Sequence, residues 1–586
     1  MDYTCSMKPT LLPSQKMVRK FVPADFVITD WSALQPLYDA LQQMPLTDAD
    51  ALREFLRRRS ELDSVVSEEL AWRYIRMNCD TGNEEYSRAF EFFIREIEPL
   101  LAPVSDALNH KVLSCPFVSE LTGAGFPILF RHLKRSTELF REENIPLLTE
   151  ISSLQQDYGK ITGALSVTHH NKPLTLQQAS KLLEEQNREL RQEVFNKIVA
   201  SRISAKQALD DLLDRLIEKR NQVAVNAGYA NFRDYMHDEL CRFDYSVSDC
   251  FDFHEAIRSH AVPYLEKISA ERKQRLGLSV YAPFDTEVDV YSDRPLQPFE
   301  GSEALVEKTI AAFSQIDSFF ADCIHTMRTN RFLDLDSRLG KAPGGFNYPM
   351  MESGIPFIYM NSVGSQKDLV TMVHEGGHAI HNFLSNHLEL SSFKSTPSEI
   401  AELASMSMEL ISMEHWEAFY TDKKELLRAK CDQLEKVLET LPWVAAVDCF
   451  QHWLYTHKHQ PAERSEAWAG IFASFSAPTV DYSGYGDYLK NMWQKQLHIF
   501  EVPFYYIEYG MAQLGAIAVW RNYKQHPQKA IQDYKAALAA GHTEGIRRIY
   551  ELAGVRFDFS PQYVKELMDF TWNELQNLKE QLHGLS

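Results

Sequence analysis

Residues 355–387 read IPFIYMNSVGSQKDLVTMVHEGGHAIHNFLSNH, and the change of texture within them decides the fold. The first seven residues, IPFIYMN, form a short apolar run bounded by glycine and proline, which predicts a strand over 355–361. A helix is predicted over 366–388, where Met372, Val373, Ala379, Ile380, Phe383 and Leu384 give one buried side. On that helix His374 and His378 lie about one turn apart, so both imidazoles reach one point from the same face. Glu375 is rotated ~100° from His374, too far to share a first coordination shell and well placed to take a proton from a water beside it. This HExxH spacing predicts a zinc ion held by two histidines with a glutamate as general base. Gly376 and Gly377 each cost about 1 kcal/mol relative to alanine inside a helix, so they record close approach of another element. Gly377 is the expected point of contact.

A zinc site of this kind needs a third ligand from elsewhere. The next helical stretch, SSFKSTPSEIAELASMSMELISMEHWEAFY (391–420), offers Glu399, Glu402 and Glu409. Glu402 stands among Ala401, Leu403 and Ala404 on a largely apolar helix, where a carboxylate needs a partner and a zinc ion is the strongest available. Glu399 is the competing ligand, and a solvent-facing Glu402 is the bland alternative. Glu409, seven residues on, is placed to orient a ligand histidine. His381 extends the pattern but its spacing seldom converges with the other two on one tetrahedral ion, so it reads as a wall of the site. Two further histidine groups serve as controls. His254-Glu255 has its next histidine six residues on, and His452, His457 and His459 lack a suitable carboxylate, so all read as ordinary surface or packing histidines.

Most of the remaining chain has helical periodicity. Helices are predicted over 48–78, as a pair from Leu174 broken near Ser201 and capped at Gly228, and over 249–272 and 303–327. Others are predicted over 398–420, 424–440, 443–458, 505–525, 528–539 and 562–582. The chain of 586 residues carries 61 Lys+Arg against 81 Asp+Glu, a formal charge of -20. That balance argues against binding nucleic acid through backbone electrostatics. The 34 Phe, 25 Tyr and 9 Trp exclude a chain that never packs. Eight cysteines without a CxxC pair indicate a reducing compartment. The first 26 residues lack the apolar core of a secretory signal, and no run of 18 uncharged apolar residues occurs. A soluble cytoplasmic protein without a membrane partner is expected. No GxSxG elbow sits between a strand and a helix, which removes the serine-hydrolase reading.

HEGGHAIH, followed by the glutamate of AELASMSMEL 28 residues after its first histidine, resembles the oligoendopeptidase F branch of the M3 zinc metallopeptidases, relatives of thimet oligopeptidase. Every fixed position of the H-E-x-G-H-x-x-H motif is present. GKAPGGFN (340–347) followed by PFIYMN is similar to the family's glycine-rich turn and edge strand. NAGYANFRDYM (226–236) and ELAGVRFDF (551–559) are similar to the segments opening and closing its catalytic domain. The resemblance implies one Zn2+ per chain on His374, His378 and Glu402, with Glu375 as catalytic base and Glu409 behind the ligands. In LHIFEVPFYYIEYGMAQLGAIAVW (497–520) it implies His498 and Tyr509 as substrate and oxyanion donors, with Tyr505 as a further contact; which of Tyr505, Tyr506 and Tyr509 faces the oxyanion stays open.

The fold expected is mostly α, a two-lobed helical peptidase with a deep substrate cleft and one small β-sheet near the zinc helix. An N-terminal helical region (1–190) forms part of the cleft wall, and 191–577 forms the catalytic domain. The expected activity is internal cleavage of short unstructured peptides, bound in part by strand addition at 355–361. Carboxypeptidase-like trimming of peptide C-termini is the alternative.

Overall fold

The structure is a computed structural model, and it describes residues 9–13, 16–338 and 340–585. It is predominantly helical. The chain forms two compact units, each assembled from three separated stretches. The first comprises Met1–Ile145, Gln297–Leu426 and Ala512–Phe557, and the second Pro146–Leu296, Leu427–Met511 and Asp558–Ser586.

In chain order, the elements that matter for function are the helix α1 (Val247–His260), the strands β1 (Leu333–Asp336), β2 (Phe346–Tyr348) and β3 (Phe357–Ser362), and four further helices. These are α2 (Gln366–Ser385), α3 (Ser398–Met413), α4 (Lys423–Thr456) and α5 (Tyr506–Gln525). In the first unit β3 lies in the middle of a three-stranded sheet, parallel to β1 and antiparallel to β2. The expected edge strand is therefore the central one. Its Phe357, Ile358, Tyr359 and Met360 are all buried, which explains why it reads as a continuous apolar run. The two edges of the sheet are β1 and β2. Ile358 donates its N–H to Phe332 O on the β1 side, so Asn347, its partner across the β2–β3 pair, turns its own N–H and C=O outward.

A glycine-rich turn leads into β2, and two side chains hold it. Lys341 is buried and donates Nζ to Asp334 O, Asp334 Oδ1 and Asp336 O at 3.0, 2.9 and 3.0 Å, and also to Met360 O. Asn361 Nδ2 donates to Ala342 O and Gly344 O at 2.7 and 3.0 Å. The turn is thus tied to β1 and β3 rather than left to its own glycines.

Several expectations need correction, among them the helix expected over 249–272, which is two, Val247–His260 and Val262–Arg275. A second, two-stranded sheet pairs Ser166–His169 with Lys172–Thr175, through a turn in which His170 and Asn171 have φ of 48° and 58°. It replaces the start of the helix expected from Leu174, and the break expected near Ser201 falls at Ala205, between Arg188–Ser204 and Lys206–Asn226. The helix expected over 303–327 is two, parted at Asp317, which caps the second by accepting Phe319 N–H. Conversely, the two helices expected over 424–458 are one 34-residue helix, α4, that runs through Pro442. Gly228, at φ 90°, does close the helix before it.

Candidate metal centre

α2 starts on a capping box. Ser365 Oγ accepts Asp368 N–H, while Asp368 Oδ2 accepts the N–H groups of Ser365 and Val363. That fixes the helix immediately after β3 and presents His374 and His378 two turns later. α3 crosses α2 at Gly377, while Gly376 faces the helix Ser302–Ile316. A Cβ on Gly377 would lie 2.7 Å from Ser405 Cα and 2.8 Å from Ala404 O, and one on Gly376 would lie 2.9 Å from the Phe313 ring. The element that Gly377 admits is therefore a helix, and its closeness brings Glu402 opposite the two histidines. Two tyrosines also hold α3, Tyr534 Oη donating to Ala404 O at 2.7 Å and Tyr550 Oη to Glu399 O at 2.9 Å.

Ligand atoms of His374, His378 and Glu402 all lie within 4.8 Å of one another. His374 Nε2 is 3.3 Å and His378 Nε2 3.7 Å from Glu402 Oε2. Donors at ~2.1 Å around a tetrahedral zinc stand ~3.4 Å apart, so the spacing fits that ion. The orientation fits as well. His374 Nδ1 donates to Glu409 Oε1 at 2.6 Å, which leaves Nε2 aimed at Glu402. Ser405 Oγ donates to Glu402 Oε2 at 2.9 Å. Glu399 is buried three residues earlier and does not join the converging group, and neither does His381.

The electrostatics are strongly local. Burial opposes protonation of His374, but Glu402 and Glu409 outweigh it and raise its pKa well above the ordinary histidine value. His378, buried and beside His374, falls to about 4. Burial works against a charged Glu402, yet His378, His374 and Ser405 hold it at about 2. Glu375 behaves oppositely. Burial, with Glu402 and Glu409 adding to it against the pull of His374, pushes it up to about 7, the range suited to a general base near neutrality. Asn347 Nδ2 donates to the Glu375 carbonyl at 3.2 Å and so joins β2 to the helix turn that carries the base. Asn347, Ser405, Tyr534 and Tyr550 carry no local motif, and the sequence reading did not single them out.

His498, Tyr505, Tyr506 and Tyr509 lie together in the second unit. Ring centroids of His498 are 5.9, 4.7 and 5.8 Å from those of Tyr505, Tyr506 and Tyr509. Tyr505 precedes the first turn of α5 rather than sharing its helical face, yet its ring still meets Tyr509 at 5.2 Å. Burial pushes Tyr506 up to about 12. Two buried arginines pin the backbone here. Arg220 donates to Ile499 O at 3.1 Å and to Phe500 O, and Arg242 donates to Phe504 O at 2.5 Å and to Glu508 at 2.7 Å.

The family model described as Peptidase family M3 matches residues 181–569, and the Peptidase M3 N-terminal domain model matches 21–140. The chain belongs to peptidase family M3. Its likeness runs to the oligoendopeptidase F branch, which makes it a metalloendopeptidase, a hydrolase of internal peptide bonds. An oligoendopeptidase F homolog of Borreliella burgdorferi is 20% identical over 70% of this chain and 70% of its own length. Oligopeptidase PepF of Bacillus subtilis is 22% identical over 68% of this chain, but the match spans only 59% of that protein. Among solved structures, PZ peptidase A with inhibitor 2 superposes at a TM-score of 0.89 with 25% identity, covering 95% of this M3 peptidase and 99% of that chain. No helix among the described residues is long and apolar enough to cross a membrane.

Proposed function

We propose that this M3 peptidase cuts short unstructured peptides with one Zn2+ held by His374, His378 and Glu402. The observation that carries this reading is the convergence of those three donors, with Glu409 fixing the tautomer of His374. Zinc, when bound, supplies Lewis acidity that activates water and polarises the scissile carbonyl. Glu375 takes the proton of the attacking water and delivers it to the departing amine. His498 and Tyr509 donate hydrogen bonds to the oxyanion, and Tyr505 contacts substrate. The peptide main chain adds as a strand to the open edge of β2, where Asn347 offers its N–H and C=O, rather than to β3.

In this reading the body is two-lobed with a deep cleft that admits extended peptides and excludes folded proteins, residues 1–190 form part of its wall, and 191–577 carry the chemistry. The protein works in the cytoplasm without membrane or nucleic-acid partners. Glu375→Gln tests the core of the reading, because it preserves size while removing the base. Zinc content should be unchanged and turnover of a fluorogenic peptide should fall ~10²–10⁴-fold. Substantial activity with metal bound would overturn the mechanism.

A further inference from the structure

Two helices of the second unit face each other with a matched pair of polar side chains apiece. Cys250 and His254 are four residues apart on α1, and Asp448 and His452 four apart on α4, so each pair shares a helical face. All four are buried, at 1%, 6%, 0% and 5% exposure. Of the two expectations for His254 and His452, surface or packing, the structure shows the second. Ligand atoms of Cys250, Asp448 and His452 lie within 4.8 Å of one another. His254 Nε2 is 2.8 Å from Asp448 Oδ2, and His452 Nε2 is 3.2 Å from the same oxygen.

Cys250 Sγ donates to Ser246 O at 3.6 Å, whereas Asp448 and His452 keep hydrogen-bonding capacity to spare. Asp448 Oδ1 and His452 Nδ1 have no hydrogen-bond partner, and His452 Nε2 meets the Asp448 carboxylate at 3.2 Å. An unsatisfied buried polar group costs about 1–3 kcal/mol, and here several share one pocket. The rings around them are apolar. Phe251 and Phe504 lie 4.9 and 5.4 Å from His452, and Phe251 and Phe253 lie 5.9 and 6.2 Å from His254.

We propose that Cys250, Asp448 and His452 form a second metal site for Zn2+, with His254 as a positioning residue that holds the Asp448 carboxylate. A thiolate, an imidazole and a carboxylate together suit this borderline-soft ion, whereas Mg2+ and Ca2+ require oxygen ligands. The separation of 3.2 Å between His452 Nε2 and Asp448 Oδ2 agrees with two donors of one tetrahedral ion, ~3.2–3.8 Å apart for ~2.0–2.3 Å bonds. The 2.8 Å contact of His254 with the same oxygen is instead a hydrogen bond, which Oδ2 accepts on one lone pair while the other faces the metal. As the Zn–S bond forms, the Cys250 thiol gives up its proton to solvent.

The ion serves as a brace. The His452 ring meets Phe504, whose φ of 67° sets the turn into Tyr505 and Tyr506. Phe253, next to His254, presses on Gly510 so closely that an added Cβ would overlap its ring. Both ligand-bearing helices therefore abut the segment carrying Tyr505, Tyr506 and Tyr509.

Cobalt separates the two sites, because His374, His378 and Glu402 contain no sulfur. The full chain loaded with Co2+ should show a thiolate-to-cobalt charge-transfer band in the near ultraviolet, and loaded with Zn2+ should retain two ions after dialysis. With His374→Ala and His378→Ala together, one zinc and the band should persist; adding Cys250→Ser should abolish the band and release that zinc. Absence of the band from the unsubstituted chain overturns the proposal without recourse to any variant. So does a band that survives Cys250→Ser.

Discussion

Gly377→Ala tests whether the crossing of α2 and α3 sets the metal geometry. The added methyl would stand 2.7 Å from Ser405 Cα, 2.8 Å from Ala404 O and 3.0 Å from Met408 Cβ. Two of these are backbone atoms, which no rotamer change can move. Ordinary carbon contacts begin at ~3.5 Å, so the helices must part locally by about 0.7–0.8 Å. Alanine returns about 1 kcal/mol of helix propensity, against about 1–3 kcal/mol for overpacking, and a net loss of up to about 2 kcal/mol is expected. The larger consequence falls on the metal. His378 is on one helix and Glu402 on the other, and coordination tolerates only ~0.2 Å. Zinc affinity should fall ~10–100-fold, comparable with losing an outer-shell partner. Gly470→Ala is the internal control, since its methyl would meet nothing within 4 Å on the exposed face of the helix Pro461–Phe475. That variant should gain about 0.4–1 kcal/mol. Urea unfolding reads stability, and competition with a chromogenic chelator reads affinity. If Gly377→Ala is as stable as Gly470→Ala and binds zinc within about twofold of the parent, the close crossing does not set the site.

Glu409→Ala should lower zinc affinity ~10–100-fold in the same chelator assay while leaving the fold intact, because it frees the His374 ring to rotate. Tyr509→Phe should reduce turnover ~10²–10³-fold with little change in Michaelis constant; a loss under about twofold passes the role to Tyr505, Tyr506 or His498. Burial pushes Glu501 up to about 7. The folded chain therefore binds more protons than the unfolded one between the ordinary value, near ~4.5, and 7, and this group's contribution to stability falls as pH rises through that window. Glu501→Gln should match the parent in melting temperature below that window and exceed it above pH 7; equal melting temperatures at both ends would show that the carboxyl is not desolvated.

The convergence of His374, His378 and Glu402 was largely legible because its information is local. Four-residue spacing places His374 and His378 together, and an apolar setting marks Glu402, whatever the rest of the chain does. What the sequence hid depends on contacts between distant segments. IPFIYMN announces a strand, but only the three-residue β2 and four-residue β1, too short to show alternation, reveal that it is central. Pro442 reads as a helix break, yet α4 continues through it with Leu441, Val444, Ala445 and Ala446 buried, so packing outweighs the lost hydrogen bond. His254 and His452 meet across Asp448 although 198 residues separate them, and no periodicity reports that encounter. The hairpin at 166–175 turns on His170 and Asn171, and only the asparagine is a residue that commonly signals such a turn.

The brevity of β2 also bears on how the protein behaves among copies of itself. An open sheet edge is a template for any extended chain, including another molecule of the same kind, and uncontrolled pairing leads to aggregation. Here Phe346–Tyr348 is bracketed by Pro343 and Pro349. Neither proline can donate to a ladder, so an added strand finds only a few outward amides before the register ends on both sides. On the proposed strand addition, such an edge would take one short guest and is too small to seed a growing sheet. Colloidal safety and access for an extended chain thus come from the same two prolines, and replacing either would relax both at once.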